Sequence, residues 1–524
     1  MKCSQKPIWP GACLAAAVVG AILLTVAPSD RSLWIDEGYS ARMIMAPGSL
    51  LQCWQMILQD HIGMPQFFGH SLAGFMLGGV FGYTEHALRM ANLVWAFAGI
   101  AAFAFAGRKL GIPWLPLVFA ANPFVWFYVD EVRPYAMQLA AGAWMMVSFV
   151  FIISPDSSPR SRTLWTNIFW LSCFVACAAS ALGAISVAAA VSVAFVALLL
   201  LKHVSRRGVW ISSSIWILAL SGLMGFHAYF IFVEGNSGSR LWSPGIMNAA
   251  FAFYEMSGLM GWGPSRETIR AAAKGGGGFA GLIQCFIPYL LGLTAYSAVL
   301  LIAAYGVLKK SACYNSARVH PIWLAAVFLS GLILMLTAAS LANWPFWGRH
   351  VSPLFPFGAV AVALGFSQIG LAGRIGAAIW IVLMVFSSIQ GRFFQASNTD
   401  DYRSASHIAA EHAANGQVVW WSADLTTPNY YHIHPTHSLK HQQNTEFVPV
   451  GQSAWPRLAT GGTANCYSVL ALSRGELEQL PSPYIIITSK PDMWDTSGEL
   501  HKFLKEKNFL VFESFPGFQV WKKP

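Results

Sequence analysis

Three short stretches hold most of the ionisable side chains that could do chemistry, and the first is "LWIDEGYSARMI", residues 33–44. There, Asp36 and Glu37 lie just past the end of an apolar run. A carboxylate in a partly dry cleft can act as a general base on a hydroxyl, while its neighbour positions a substrate or a cation. A structural alternative is that Asp36 caps a helix beginning at Gly38, which is a common use of aspartate. The stretch by itself leaves both interpretations open.

The second stretch, "YVDEVRPYAM", combines two acids, an arginine and a proline. Pro134 suits the first turn of a following helix, where its missing N–H costs nothing. Asp130 and Glu131 favour a helix N-terminus electrostatically. Arg133 is a cation at that same positive end, so we expect it to have an anionic partner: Glu131, Asp36 or a phosphate.

The third stretch, "NWPFWGRHVSPLFPF", places Arg349 and His350 side by side. The planar guanidinium of arginine binds phosphate through two parallel hydrogen bonds. The structural alternative is an interfacial arginine among the belt tryptophans Trp344 and Trp347. The sequence favours the phosphate interpretation by a small margin.

The composition predicts a polytopic membrane protein. Hydrophobic residues make up 55% of the 524 positions and charged residues only 11%, against about a quarter in soluble domains. The net charge of +10 does not indicate nucleic-acid binding, because many Lys and Arg residues occur as pairs between apolar runs. The eight cysteines show neither a disulfide framework nor a zinc spacing, and we expect Cys53 and Cys466 to be free thiols rather than a bridge.

Apolar runs of the length that crosses a bilayer, about 20 residues, recur along the chain. We identify them near 8–27, 64–81, 88–106, 112–129, 135–153, 165–181, 183–201, 211–232, 284–307, 322–341, 351–369 and 375–391.

The paired basic residues argue against all of these runs crossing. With twelve spans and a cytoplasmic N-terminus, the pairs Arg108/Lys109, Arg160/Arg162, Arg206/Arg207 and Lys309/Lys310 would lie outside, against the positive-inside rule. The run 64–81 contains His70 and four glycines, so we predict that it lies in the outer interface. The remaining eleven spans place the N-terminus in the cytoplasm and the C-terminus outside. The first run is predicted to be an uncleaved anchor rather than a signal peptide.

This topology divides the chain into a transmembrane catalytic domain, 1–391, and a soluble extracytoplasmic α/β domain, 392–524. The second domain is predicted to contain helices at 400–414 and 498–508, strands in "GQVVWWS" and "SPYIIITS", and a terminal hairpin from residue 509. The outer segment 233–283 contains "KGGGGF", whose glycines indicate either a mobile flap or a passive tether.

This layout and five short motifs resemble the polyprenyl-phosphate-sugar-dependent membrane glycosyltransferases of the GT-C fold, in particular the bacterial relatives of protein O-mannosyltransferases and of the lipid A aminoarabinose transferase. The motifs are "WIDEGYSARM", "DHIGMPQFF", "FGYTEHALRMANL", "EVRPYAM" and "RHVSPLFPF". They cover roughly the first 140 residues well and the later spans thinly. The family's interfacial helix after its acidic loop agrees with the placement of 64–81 derived from the charges.

The resemblance implies transfer of a sugar from a polyprenyl phosphate to an acceptor hydroxyl on the periplasmic side of a bacterial inner membrane, with inversion. It implies a catalytic pair, with Asp36 as the base and Glu37 beside it, and a set of substrate-binding residues: His61, Glu131, Arg133, Tyr135, Arg349 and His350. Arg349, helped by Arg133 and His350, would neutralise the departing lipid phosphate. The acceptor would be a lipid, a glycan or a protein. The acids would also accept a divalent cation, Mg²⁺ or Mn²⁺, although no spacing demands one.

Three other functions remain open at the level of sequence. An ion-coupled transporter or a lipid flippase needs polar groups within its spans, where His227 is the main ionisable side chain. A polysaccharide polymerase should lack the Asp36–Glu37 pair at the end of its first span. A non-catalytic assembly scaffold would depend on the C-terminal domain, with Asp36 dispensable.

Overall fold

A computed structural model shows a mainly helical chain with one small sheet near its C-terminus. It describes residues 10–60, 63–200, 207–233, 245–308, 319–343, 346–394, 400–435 and 463–524, apart from residues 267, 270, 271, 273–277 and 471. His61, Trp344, the pair Lys309/Lys310 and most of "KGGGGF" were singled out above and lie outside these residues.

The α-helices are numbered in chain order. They are α1 (Pro10–Leu24), α2 (Ile35–Met45), α3 (Leu50–Leu58), α4 (Phe68–Phe81), α5 (Glu85–Met90), α6 (Asn92–Leu110), α7 (Leu115–Ala121), α8 (Pro123–Val129), α9 (Tyr135–Ile153), α10 (Pro159–Ala179), α11 (Gly183–Leu200), α12 (Arg207–Ala228), α13 (Ile246–Met256), α14 (Gly278–Phe286), α15 (Leu290–Leu308), α16 (Pro321–Ala342), α17 (Phe355–Ser367), α18 (Leu371–Ile389), α19 (Tyr402–Ala414), α20 (Thr427–Tyr430), α21 (Arg474–Gln479), α22 (Pro491–Trp494) and α23 (Glu499–Glu506).

Eight helical stretches in the described part of the chain are long and apolar enough to cross a membrane. They are Glu85–Leu110, Tyr135–Ile153, Gly183–Leu200, Val209–Val233, Ala280–Leu308, Pro321–Ala342, Gly348–Ser367 and Leu371–Phe394. Each coincides with a predicted span. A helix satisfies its own backbone hydrogen bonds, which is the condition for lying in hydrocarbon.

The other three predicted spans fall on helices outside that set. α1 has 15 residues, and α10 carries Arg160 and Arg162 near its start. The run 112–129 is divided into α7 and α8 because Asn122, which precedes Pro123, is extended. The interfacial placement of α4, within 64–81, stays a prediction.

The chain forms two compact units. The helical unit comprises residues 1–28, 60–70 and 89–395, and the sheet unit comprises 29–59, 71–88 and 396–524. The predicted boundary at 391/392 therefore lies close to one boundary of the units, but two segments assigned by sequence to the membrane domain, 29–59 and 71–88, pack with the C-terminal residues instead.

Helix α9 lies at the centre of the helical unit and is buried along nearly its whole length. It packs against α6 and α10 and against the 3₁₀ helix Gly348–Leu354. At this last contact Gly142 allows a close backbone approach, because a Cβ there would lie 2.7 Å from the Cα of Pro353. The approach fixes the segment that carries Arg349.

In the described part of the sheet unit, five strands pair in the order β2-β1-β3-β5-β4. They are β1 (Val419–Ser422), β2 (Cys466–Ser468), β3 (Ile485–Ser489), β4 (Leu510–Phe515) and β5 (Phe518–Lys522). β1 pairs in parallel with β2 and β3, and the terminal hairpin β4–β5 joins β3 antiparallel.

The central strands β1 and β3 are covered on both faces, which explains their nearly continuous apolar sequences, whereas the edge strand β4 is exposed. Trp421 and Ile487 pack with α19 on one face, and Trp420 and Ile486 pack with α23 on the other. The predicted α/β domain, with its two helices, two strands and terminal hairpin, is confirmed. Cys53 and Cys466 are both buried and are not bridged to each other, as expected.

The topology can be tested with single cysteines at exposed positions in a background that lacks the native ones. Because of the paired basic loops, we expect Lys507→Cys to react with an impermeant thiol reagent on intact cells, and Arg160→Cys to react only after permeabilisation. Both positions are exposed in the structure, so an accessible thiol is assured. The reverse labelling pattern would contradict the eleven-span topology.

Candidate functional site

The turn between α8 and α9, residues 130–134, is held from α5 and α6. The Arg89 guanidinium donates to the Asp130 carbonyl (2.9 Å), and the Asn92 amide donates to the carbonyls of Val129 (3.1 Å) and Glu131 (2.6 Å). Arg89 is completely buried. Buried backbone carbonyls need such donors, so these two residues of "FGYTEHALRMANL" have a structural role that sequence reasoning did not assign.

This turn presents Arg133 to aromatic side chains. The guanidinium carbon lies 4.9 Å from the ring centre of Phe67 and 5.9 Å from that of Tyr135, the first residue of α9. Both distances fall within the range of cation–π attraction. Glu131 and Arg133 are almost fully buried.

Arg349 approaches the same ring from a distant part of the sequence. Its guanidinium carbon also lies 5.9 Å from the ring centre of Tyr135. The neighbouring His350 accepts a hydrogen bond from the Trp347 backbone N–H at the start of the 3₁₀ helix (3.4 Å). Within the helical unit, the structure thus brings together four of the predicted substrate-binding residues: Glu131, Arg133, Tyr135 and Arg349.

A buried ion pair that the sequence analysis missed fixes the segment before Arg349. The Arg266 guanidinium donates to one oxygen of Glu255 (Nε–Oε1 3.0 Å) and to the Tyr128 hydroxyl (3.3 Å). The other carboxylate oxygen accepts the N–H of Gly348 (3.0 Å). A Cβ at Gly348 would lie 2.5 Å from that same oxygen, so any larger residue there would displace the carboxylate.

The electrostatics of this pair follow from its burial. Burial alone would lower the pKa of Arg266, but the Glu255 carboxylate beside it, with Tyr128, raises that pKa well above its usual value. Charges of Glu131 and Arg349 also act on the Tyr128 hydroxyl. The Glu255–Arg266 pair and Arg349 therefore share one electrostatic environment. No signal in the sequence marks this pair, because the segment 233–283 contains three glutamates and three arginines and no spacing singles out Glu255 and Arg266.

Glu255 and Arg266 both belong to the segment 233–283, which was predicted to lie outside the membrane. Its described part contains α13 and the 3₁₀ helix Leu259–Trp262, and the Tyr254 hydroxyl donates to the carbonyl of Pro264 (3.1 Å). These residues form an ordered structure. The choice between flap and tether concerns "KGGGGF", most of which lies outside the described residues.

The acidic pair lies in the sheet unit, on α2. This helix begins at Ile35, so the alternative that Asp36 caps a helix starting at Gly38 is wrong. Glu37 is fully buried and its carboxylate accepts the backbone N–H of Trp34 (3.3 Å), reaching back to the helix start as a residue at this position commonly does. Asp36 is partly exposed. The two acids therefore have different environments.

The divalent cation that the acids could accept has no assigned ligands. In the described ranges no group of three or more His, Cys, Asp or Glu side chains could hold an ion. Asp60, next to the undescribed His61, accepts the backbone N–H groups of Gly63 (3.1 Å) and Met64 (3.0 Å).

Comparison with solved structures finds similar chains along nearly the whole length. The crystal structures of ArnT from Cupriavidus metallidurans, in the apo state and bound to undecaprenyl phosphate, are each 16% identical with a TM-score of 0.44; each match covers 98% of this chain and 97% or 98% of the ArnT chain. The cryo-EM structure of arabinofuranosyltransferase AftD from Mycobacteria is 12% identical with a TM-score of 0.48, covering 99% of this chain and 40% of AftD.

No protein-family model and no curated protein matches the sequence. Identities of 12–16% and TM-scores below 0.5 do not establish a shared activity, so the function of this chain is inferred from its own residues.

The buried pair Glu255–Arg266 predicts an asymmetric response to mutation. Arg266→Leu leaves a carboxylate buried without its cation, and we expect a loss of about 3–5 kcal/mol in stability. The double variant Glu255→Gln/Arg266→Leu should recover much of this loss, because glutamine is neutral and can still accept the Gly348 N–H. Thermal unfolding in detergent, followed by tryptophan fluorescence, measures the difference.

The matched control is Arg160→Leu, which removes an exposed arginine of the same unit. A melting temperature for Arg266→Leu equal to that of this control would show that the pair contributes nothing to stability.

Proposed function

We propose that this protein is a glycosyltransferase that transfers a sugar from a polyprenyl-phosphate-linked donor to an acceptor hydroxyl at the outer side of a bacterial inner membrane. The observation that carries the proposal is the convergence of Arg133 and Arg349 on the ring of Tyr135. Arginine forks match phosphate oxygens in geometry and charge.

The two arginines beside one aromatic ring support an anionic ligand. Glu255 and Arg266 neutralise each other, whereas Arg133 and Arg349 both bring a guanidinium to the ring of Tyr135. Two guanidinium groups beside one ring repel each other, and a phosphate between them would relieve that repulsion. The resemblance of the motifs to the polyprenyl-phosphate-sugar-dependent family identifies the carrier.

In the proposed reaction, Asp36 takes the proton from the acceptor hydroxyl. The acceptor oxygen then forms a bond to the anomeric carbon with inversion, while the bond from that carbon to the phosphate oxygen breaks. Arg349 and Arg133, with His350, stabilise the charge that develops on the departing lipid phosphate. Glu37, Glu131 and His61 orient the substrates. A general base of this kind typically contributes about 10²–10⁴-fold in rate.

The proposed location follows from the distribution of charge. The paired basic loops place the N-terminus in the cytoplasm and residues 392–524 in the periplasm. The acceptor is a hydroxyl of a lipid, a glycan or a protein. A divalent cation at the acids stays part of the proposal without an assigned set of ligands, so no step is attributed to it.

The role of the base is tested by Asp36→Asn. Asparagine keeps the size of the side chain but cannot take the proton, so we expect single-turnover transfer from a lipid-phosphate sugar to fall about 10²–10⁴-fold in nanodiscs, with an unchanged melting temperature. Glu37→Gln should cost less activity, since the amide oxygen can still accept the Trp34 N–H. Turnover near that of the wild type in Asp36→Asn would remove it from the role of base.

The role of Arg349 is tested by Arg349→Lys. Lysine keeps the charge but loses the planar fork, and the loss of a charge-assisted hydrogen bond, about 1.5–3 kcal/mol, should lower kcat/KM for the donor roughly 10- to 100-fold. Arg374→Lys, at an exposed position of the same unit, is the control. Donor kinetics that match this control would make Arg349 an interfacial arginine and nothing more.

A further inference from the structure

The helix that carries Asp36 is anchored by residues that lie nearly 400 positions later in the sheet unit. Just before the helix, the N–H of Leu33 donates to the hydroxyl of Tyr431 (2.8 Å), which also lies 3.2 Å from the Ser32 hydroxyl. Ile35, the first residue of α2, packs against the apolar core that contains Trp421. The chain is thus fixed immediately before Asp36.

It is fixed again immediately after Glu37. Gly38 lies directly against Thr427, where any Cβ would collide with the threonine side chain. The hydroxyl of Tyr39 donates to one oxygen of Asp424 (3.1 Å). The other oxygen of Asp424 accepts the backbone N–H (2.7 Å) and the hydroxyl (2.6 Å) of Thr427.

This network is deeply buried. Asp424 is 1% exposed and Thr427 is completely buried, and Tyr39 is 7% exposed. Burial raises the pKa of the Asp424 carboxyl, while the hydrogen bonds from Thr427 and Tyr39 lower it. A buried carboxylate is costly unless its hydrogen bonds are made, so the network tolerates one arrangement of α2 and resists others.

We propose that Asp424, acting through Tyr39 and Thr427, is a positioning residue that sets the orientation of Asp36. The inference rests on the proposed function of Asp36 as the base and gives the C-terminal residues a part in the reaction. Asp36 is partly exposed, while its neighbours Ile35 and Gly38 are fixed to the sheet unit. A displacement of about 1 Å in a reacting group can cost roughly 100-fold in rate.

The test compares two single changes with matched controls. Tyr39→Phe removes one hydroxyl, and Asp424→Asn replaces one carboxylate oxygen by an NH2 group, so that the side chain can no longer accept hydrogen bonds from both Tyr39 and Thr427. The controls are Tyr484→Phe, whose ring lies beside His412 and Lys522, and Asp495→Asn, whose carboxylate accepts backbone N–H groups of Leu500 and His501. Hydrogen exchange of amides 35–45 and single-turnover transfer are measured in the full-length protein.

We expect Tyr39→Phe to speed exchange in α2 and to lower the rate at saturating donor by roughly 10- to 100-fold, with the donor KM and the melting temperature nearly unchanged. The control variants should change neither the exchange in α2 nor the rate of transfer. Thr427→Val should act like Tyr39→Phe, and Thr427→Ser, which keeps the hydroxyl, should restore most of the rate. These variants keep the test valid if Asp424→Asn does not fold.

Faster exchange without any loss of rate would overturn the positioning role and leave only a structural one. Unchanged exchange and rate would overturn both. If the wild-type protein transfers no sugar, the proposed function fails, and the positioning role of Asp424 fails with it; the exchange data would still report whether α2 is anchored.

Discussion

One buried carboxylate, Glu255, holds together several segments of the helical unit. One of its oxygens pairs with Arg266, and the other accepts the N–H of Gly348. An ion buried this deeply is tolerated only when its hydrogen-bonding capacity is filled, which ties α13 to the segment that leads into Arg349. The direction in which Arg349 leaves its backbone, toward Tyr135, depends on this attachment.

A similar requirement shapes the turn that carries Arg133. Its carbonyl groups are buried, so Arg89 and Asn92 supply the donors. The residues that hold the turn are therefore distinct from those offered to a ligand. The motif "FGYTEHALRMANL" supplies the residues that hold the turn, and "EVRPYAM" supplies Arg133. Spacing alone does not tell which residues of such motifs are structural and which are chemical.

The sheet unit stabilises the short helix that carries the acidic pair. An 11-residue helix such as α2 is marginally stable in water by itself, so it needs tertiary contacts. The C-terminal residues provide them through Tyr431, Asp424 and Thr427. The C-terminal domain predicted from sequence thus supports the helix that carries the acidic pair.

The sequence by itself determined the features that depend on residues close together in the chain. Long apolar runs predicted the spans, and period-two and period-3.6 patterns predicted the C-terminal strands and helices, whereas the placement of 64–81 outside the spans stays a prediction from the charge pairs. Only the tertiary structure decided which distant groups meet. The Tyr39–Asp424 bond joins residues 385 positions apart, and the Gly348–Glu255 bond joins residues 93 apart. The tertiary structure also decided that α2 begins at Ile35. The helix start is fixed by burial and by the hydrogen bond from the Trp34 N–H to the Glu37 carboxylate, and neither can be read from the hydropathy of a sequence window.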